Sequence, residues 1–359
     1  MKHIDEYRDK KMVDLLLKQI WDSSKSPVRM MEVCGGHTVA IRKFGIPALL
    51  PTTIQLLSGP GCPVCVTGKS FIDKTVKLAK EPETIIATYG DLMRVPGSNS
   101  ILEKERAAGA DIRMVYSPLD ALEIAKLSSS KKIVFPGIGF ETTSPATAVT
   151  VLWAKKENLN NFFLLSAHKI MPPAMEMLID DEVQIDGYIC PGHVSTITWS
   201  GIYSKIVNKF GLDCVITGFE PVDLLQGILM IVKQFESGKP KVEIQYKRAV
   251  KPEGNLKALK LLDEVFELKD DWWRGLGVIP KSGFKLKKEF EMFDAEKHFD
   301  LDLPEPKEEK GCICGEILKG KKLPTHCKLF GKICTLENPV GACMVSSEGS
   351  CQAFYKYQL

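Results

Sequence analysis

Two cysteines stand three residues apart in GPGCPVC at 59–65, directly after the apolar run TIQLL. A C-x-x-C pair can cycle between dithiol and disulfide, or supply half of a metal site. Pro63 restricts the backbone between Cys62 and Cys65, and Gly59 and Gly61 let another group come close. No second C-x-x-C or H-x-x-x-H lies nearby in the chain, which favours redox chemistry over zinc. A second candidate is CGGHT at 34–38. Cys34 follows an apolar run and precedes a helix-like stretch, a position where the helix dipole favours a thiolate. His37 is near enough in sequence to act as its proton partner, and a thiolate there suits a soft metal such as low-valent iron.

The third candidate is the tail. Cys312, Cys327, Cys334 and Cys351 are spaced C-x14-C-x6-C-x16-C, with Cys314 and Cys343 between them. Zinc sites generally use short paired knuckles, and this spacing has none. Four spread thiolates fit an iron–sulfur cluster better, although the spacing is not that of a bacterial ferredoxin. Cys314 could replace Cys312, and the additional cysteines could form a disulfide beside the metal. Eleven cysteines in a long chain, an odd number, argue against a structural disulfide framework.

Further polar residues sit where strands end: Asp91 and Arg94 in YGDLMRVPG, Glu141 and Thr142 in GFETT, His168 and Lys169 in SAHK, His193 and Ser195 in PGHVS, Glu220 and Asp223 in GFEPVD. Each alone is as compatible with helix capping as with chemistry. Together they point polar groups at the carboxyl ends of strands, where open α/β sheets bind ligands. There is no GxxxxGK[ST] and no strand-linked GxGxxG, so neither ATP nor a dinucleotide is indicated.

The elements that must carry these residues alternate. Short apolar runs at 30–33, 84–90, 112–117, 132–137, 162–167, 185–190 and 212–218 are separated by helix-like segments at 69–80, 119–127, 146–158 and 221–235. That alternation predicts an α/β fold with mainly parallel sheets. Residues 4–21 predict an amphipathic helix, with Ile4, Tyr7, Leu15, Leu16 and Ile20 on its docking face. A strand is expected within 241–250, a helix over 256–268, and an exposed helix and linker over 285–310. VCGGHTVAIRKFGI at 33–46 repeats as ICPGHVSTITWSGI at 189–202, pairing Cys34 with Cys190, Gly36 with Gly192 and His37 with His193 at one offset. Duplication predicts two similar α/β domains facing each other across a cleft. The expected organisation is an N-terminal helix in 1–29, a first α/β domain in 30–165, a second in 166–290 and a cysteine-rich domain in 291–359.

Composition excludes other classes. Hydrophobic residues make up 44% and charged residues 26%, an ordinary globular mixture, and the formal net charge of +3 gives no electrostatic case for nucleic acid or an anionic membrane. No apolar run approaches the length of a membrane span, and the N-terminus lacks the apolar core of a secretory signal, so a cytoplasmic protein is expected.

CGGHT, GPGCPVC, TYGDLMRVPG, PGIGFETT, PGHVS, GFEPVD, CICGEILKG and GACMVSSEGSC together resemble the HypD family of [NiFe] hydrogenase maturation proteins, over nearly the whole chain after residue 30. The resemblance implies two Rossmann-like domains plus a small C-terminal domain with a [4Fe-4S] cluster on Cys312, Cys327, Cys334 and Cys351. It implies a scaffold on which an iron bearing two cyanides and one carbonyl, Fe(CN)2CO, is assembled. The partners it implies are the small chaperone HypC in direct complex and HypE as cyanide donor. On this reading Cys34 holds the iron together with a cysteine of HypC. The cluster and the Cys62/Cys65 pair form an electron relay, with His37 and Glu220 as further site residues. The roles of Cys190, Cys214, Cys314 and Cys343 stay open. The competing class is an iron–sulfur thiol–disulfide reductase, and the blander one a zinc-stabilised interaction protein.

Overall fold

The computed structural model describes residues 4–180, 183–306 and 309–357, with no side-chain description at 180. Its strands are β1 Val28–Glu32, β2 Ile54–Ser58, β3 Thr84–Thr88, β4 Ile112–Met114, β5 Lys132–Gly139, β6 Phe162–His168, β7 Gly187–Pro191, β8 Asp213–Thr217, β9 Val242–Ile244, β10 Phe266–Trp273 and β11 Gly277–Leu286. Seven of the nine parallel strands lie on the apolar runs read above. The central ones, β3, β7 and β8, are buried at every position, because parallel strands covered by helices on both faces meet no water.

These strands form two parallel sheets, in the orders β2-β1-β7-β8-β9 and β4-β3-β5-β6. In each sheet the chain runs outward from the centre in both directions. That creates one switch point between β1 and β7 and another between β3 and β5. The sheets share one continuous apolar core that includes Met31, Tyr188 and Cys214 of one and Ile86, Val134 and Phe163 of the other.

The sheets do not follow the expected division at 30–165 and 166–290. β1 pairs with both β2 and β7, so the first sheet is discontinuous in sequence, and the second sheet is inserted between its halves. The expected boundary falls inside β6. The two copies of the repeat are likewise not in opposing domains. They are neighbours, leading out of the adjacent strands β1 and β7.

Capping fixes the helix starts. Ser117 Oγ accepts the Leu119 N–H, and Asp120 accepts the Ser117 N–H, ahead of helix Pro118–Leu127. The N-terminal helix begins at Lys10 rather than residue 4, since Asp9 caps it by accepting the Met12 N–H. It buries Leu16 and Ile20 and packs on helix Pro221–Ser237, while Leu15 is exposed.

Three expectations need correcting toward the C-terminus. The helix expected over 256–268 is Leu256–Val265, and Phe266 opens the antiparallel hairpin β10–β11. The stretch 285–310 is not an exposed helix and linker. β11 ends at Leu286, a 3-10 turn spans Lys288–Phe293 and a short helix Ala295–His298, with Phe290, Phe293, Ala295 and Leu301 buried. Within 241–250 only Val242–Ile244 is strand. No helix among the described residues is long and apolar enough to cross a membrane.

Candidate functional site

A cavity of about 480 Å³ lies at the carboxyl ends of both sheets, at their two switch points. The first sheet supplies Cys34 after β1, Gly61 and Pro63 after β2, and His193 after β7. The second supplies Asp91 after β3 and Thr142 after β5, and the cysteine-rich tail supplies Glu348. A side chain on Gly61 would collide with the Cys34 backbone at 2.3 Å, so the GPGCPVC loop lies flat against the Cys34 turn. The Gly35 N–H donates to Gly61 O at 2.9 Å.

Cys34 caps helix Gly35–Lys43 and is half-buried. The expected helix-stabilised thiolate is not what its surroundings produce. Burial pushes the thiol up to about 12, with the Glu348 carboxylate adding to the effect, and the Gly36 and His37 N–H groups offset only part of it. His37 contributes that backbone N–H and not its ring. The imidazole is fully buried, and its Nε2 lies 3.0 Å from Thr217 O and 3.1 Å from Gly218 O. Burial holds it down to about 4, so it is neutral.

Cys62 and Cys65 are joined as a disulfide and are almost wholly buried, at 3% and 0% exposure. The buried Arg274, from the β10–β11 turn, donates from Nε to Cys65 O at 3.0 Å and from Nη2 to Thr67 O at 3.1 Å. The short helix Pro63–Val66 packs against Ala342–Val345 of the tail, which carries Cys343. Cys343 Sγ lies 2.6 Å from Cys314 Sγ, and both are buried.

Behind this pair, Cys312, Cys327, Cys334 and Cys351 line one small cavity together with Cys314 and Cys343. Burial raises Cys312 to about 12, and nearby cysteines, Cys327 and Cys334 among them, add to it, as expected where several sulfurs face one space. The Val340 N–H points at Cys334 Sγ at 3.4 Å, and a side chain on Gly341 would stand 3.2 Å from Cys312 Sγ. An all-sulfur donor set in an apolar cavity, with backbone N–H directed at sulfur, fits an iron–sulfur group. Among the described residues no three His, Cys, Asp or Glu side chains are gathered as they would be around a single metal ion.

Other sequence candidates lie away from the cavity. Glu220 receives both guanidinium N–H bonds of Arg8, and Asp223 is buried in a bidentate pair with Arg248. Arg94 donates to Leu336 O at 2.8 Å. Lys169 is buried against Asp271 at 2.5 Å, and burial holds His168 down to about 3. Ser195 bonds Pro191 O and Tyr203, and Glu141 accepts the Met171 N–H. Cys190 and Cys214 are core residues of β7 and β8. Sequence reasoning missed Glu348 and Arg274. Glu348 sits inside GACMVSSEGSC, where only the cysteines drew attention, and Arg274 carried no signal at all.

Fold and site define a thiol-based α/β protein in which an open cavity with one cysteine backs onto a buried disulfide and a six-cysteine nest. The HypD family model, described as the hydrogenase formation hypA family, matches residues 11–358. The chain is 48% identical to a putative hydrogenase expression/formation protein of Methanocaldococcus jannaschii, covering 97% of both chains. It is 46% identical to hydrogenase maturation factor HypD2 of Bradyrhizobium diazoefficiens, over 99% of this chain and 97% of that one, and 43% identical to HypD of Escherichia coli, over 100% and 98%. The chain belongs to the HypD family of hydrogenase maturation factors.

Proposed function

We propose that this maturation factor assembles the Fe(CN)2CO unit of [NiFe] hydrogenase in the cleft between its two sheets. The iron is cargo, carried on Cys34 together with a cysteine of a HypC-type chaperone, and cyanide arrives from a HypE-type donor. The observation that carries this reading is the place of Cys34. It lines the cavity at the carboxyl ends of both sheets, and the loop pressed against it bears the Cys62–Cys65 disulfide.

Cys312, Cys327, Cys334 and Cys351 are the residues that would hold a [4Fe-4S] cluster, which when bound supplies electrons singly. The chain's own thiols then store them in pairs. Reduction of Cys62–Cys65 takes two electrons and two protons and yields two thiols. Cys343, on the helix packed against Pro63–Val66 and in contact with Cys314, would be the thiol through which electrons pass toward that disulfide. The near-total burial of Cys62 and Cys65 disfavours a general thiol–disulfide reductase, because a protein substrate could not reach either sulfur.

The test is infrared spectroscopy of the anaerobically purified complex with HypC. The unsubstituted complex is expected to show cyanide and carbonyl stretches, and Cys34→Ala to lose them while keeping cluster absorption near 400 nm. Bands that survive Cys34→Ala would remove Cys34 as the iron ligand.

A further inference from the structure

The two copies of the repeat present different side chains to the cleft. In the first, β1 ends at Glu32 and the helix starts at Gly35, with Cys34 as its cap. Cys34 lines the cavity, and His37, third in the helix, is fully buried. In the second, β7 continues through Pro191, the counterpart of Gly35, so the helix starts one residue later at Gly192. Cys190 is thereby a strand residue of the core, and His193, second in its helix, is turned by about 100° relative to a third position. His193 lines the cavity and is exposed there. Each copy gives the cleft one of its two reactive side chains and buries the other.

Phe219 joins the copies. Its ring is sandwiched between His37, at 4.5 Å between centroids, and His193, at 4.0 Å, both nearly parallel. The duplicated glycines make room for it, since a side chain on Gly36 or Gly192 would stand 3.1 or 3.3 Å from the Phe219 ring. His37 is anchored below by the carbonyls that end β8. The stack therefore fixes the plane of the His193 ring where it lines the cavity.

We infer that His193 is the ligand-binding imidazole of the cleft, donating an N–H to a cyanide nitrogen of the iron unit carried on Cys34, and that Phe219 is its positioning residue. This rests on the assembly reading above. A hydrogen bond at a cyanide nitrogen draws electron density from iron, so less flows back to the carbonyl and its stretch lies higher.

The experiment compares infrared spectra of full-length complexes with HypC carrying His193→Leu, His193→Gln or Phe219→Leu. His193→Leu is expected to keep the chaperone and cluster absorption, to lower the carbonyl frequency and to weaken the cyanide bands several-fold. His193→Gln, which keeps an N–H donor, should return the bands toward their original positions, and Phe219→Leu should give a smaller shift of the same sign. Unchanged bands in His193→Leu would overturn the inference, as would equal shifts in Leu and Gln, the mark of a merely structural role. Should the leucine variant lose its cluster, His193→Glu against His193→Gln decides: only the glutamate, lacking an amide donor, should lower the carbonyl stretch. An unsubstituted complex without either band would overturn the assembly reading, and this inference with it.

Discussion

Glu141 shows what it costs to bury a carboxylate without a cation. It stands at the end of β5, 2% exposed. One oxygen accepts the Met171 N–H at 3.0 Å, and the other has no partner among the described residues. Burial raises its carboxyl from 4.5 to about 7. Between those two values the folded chain holds a proton that the unfolded chain releases, so stability falls as pH rises through this window. Above pH 7 the whole cost is present, on the order of 3 kcal/mol. Glu141→Gln keeps a carbonyl oxygen for the Met171 N–H and has no charge to bury. Its unfolding free energy in urea is expected to exceed the parent's by that order at pH 8 and to match it at pH 4, below both values. Equal stabilities at pH 8 would show that Glu141 is solvated or paired. Some pH dependence should remain in the variant, because burial also raises Glu32 and Asp213 to about 7. Asp223, equally buried, is instead met by Arg248 at 2.7 and 2.5 Å.

At the scale of elements, the β10–β11 hairpin ties distant parts together. Trp273 is fully buried beside Phe140 and donates to Ser282, which aims the turn at the short helix Pro63–Val66. There the Arg274 side chain satisfies two carbonyls that a four-residue helix leaves open. Arg274→Met should cost about 2–3 kcal/mol, since it strands buried acceptors of a charge-assisted donor. After reduction it should also speed alkylation of Cys65. Unchanged unfolding and labelling would show that the loop stands without the hairpin. This hairpin was illegible in the sequence. FELKDDWW and GVIPKSGFKL mix charges, Pro280 and Gly283 into the strands, because their buried positions, Phe266, Trp273, Ile279 and Phe284, serve two separate cores. The parallel strands were legible because burial on both faces demands unbroken apolar runs. The cysteines of the site were legible by type and spacing. Which member of each pair faces the cleft was not. One residue of difference in where a helix starts exchanges Cys190 for Cys34 and His37 for His193, and residue identity does not encode that offset.

The whole molecule is organised by chain order as much as by contact. The first sheet takes β1 and β2 from before the insertion and β7 to β9 from after it, and the second sheet lies between. The face of that second sheet is completed from far down the chain. Phe266, Phe284, Phe290 and Phe293 share a core with Ile85, Phe135 and Phe162. Neither half of the sequence therefore holds a closed apolar core. Burial of large side chains, about 1.5–3 kcal/mol each, is what offsets chain entropy, so half a core leaves the chain unfolded. Residues 1–184 and 185–359, produced separately, are each expected to lack near-ultraviolet circular dichroism and a cooperative unfolding transition. Mixing them should recover both signals, with a midpoint that rises with concentration, since the assembly is then bimolecular. A cooperative, native-like transition from residues 1–184 alone would mean that the second sheet folds without its distant phenylalanines. The cleft would then be assembled by docking of preformed units rather than by the single folding event that the discontinuous first sheet requires.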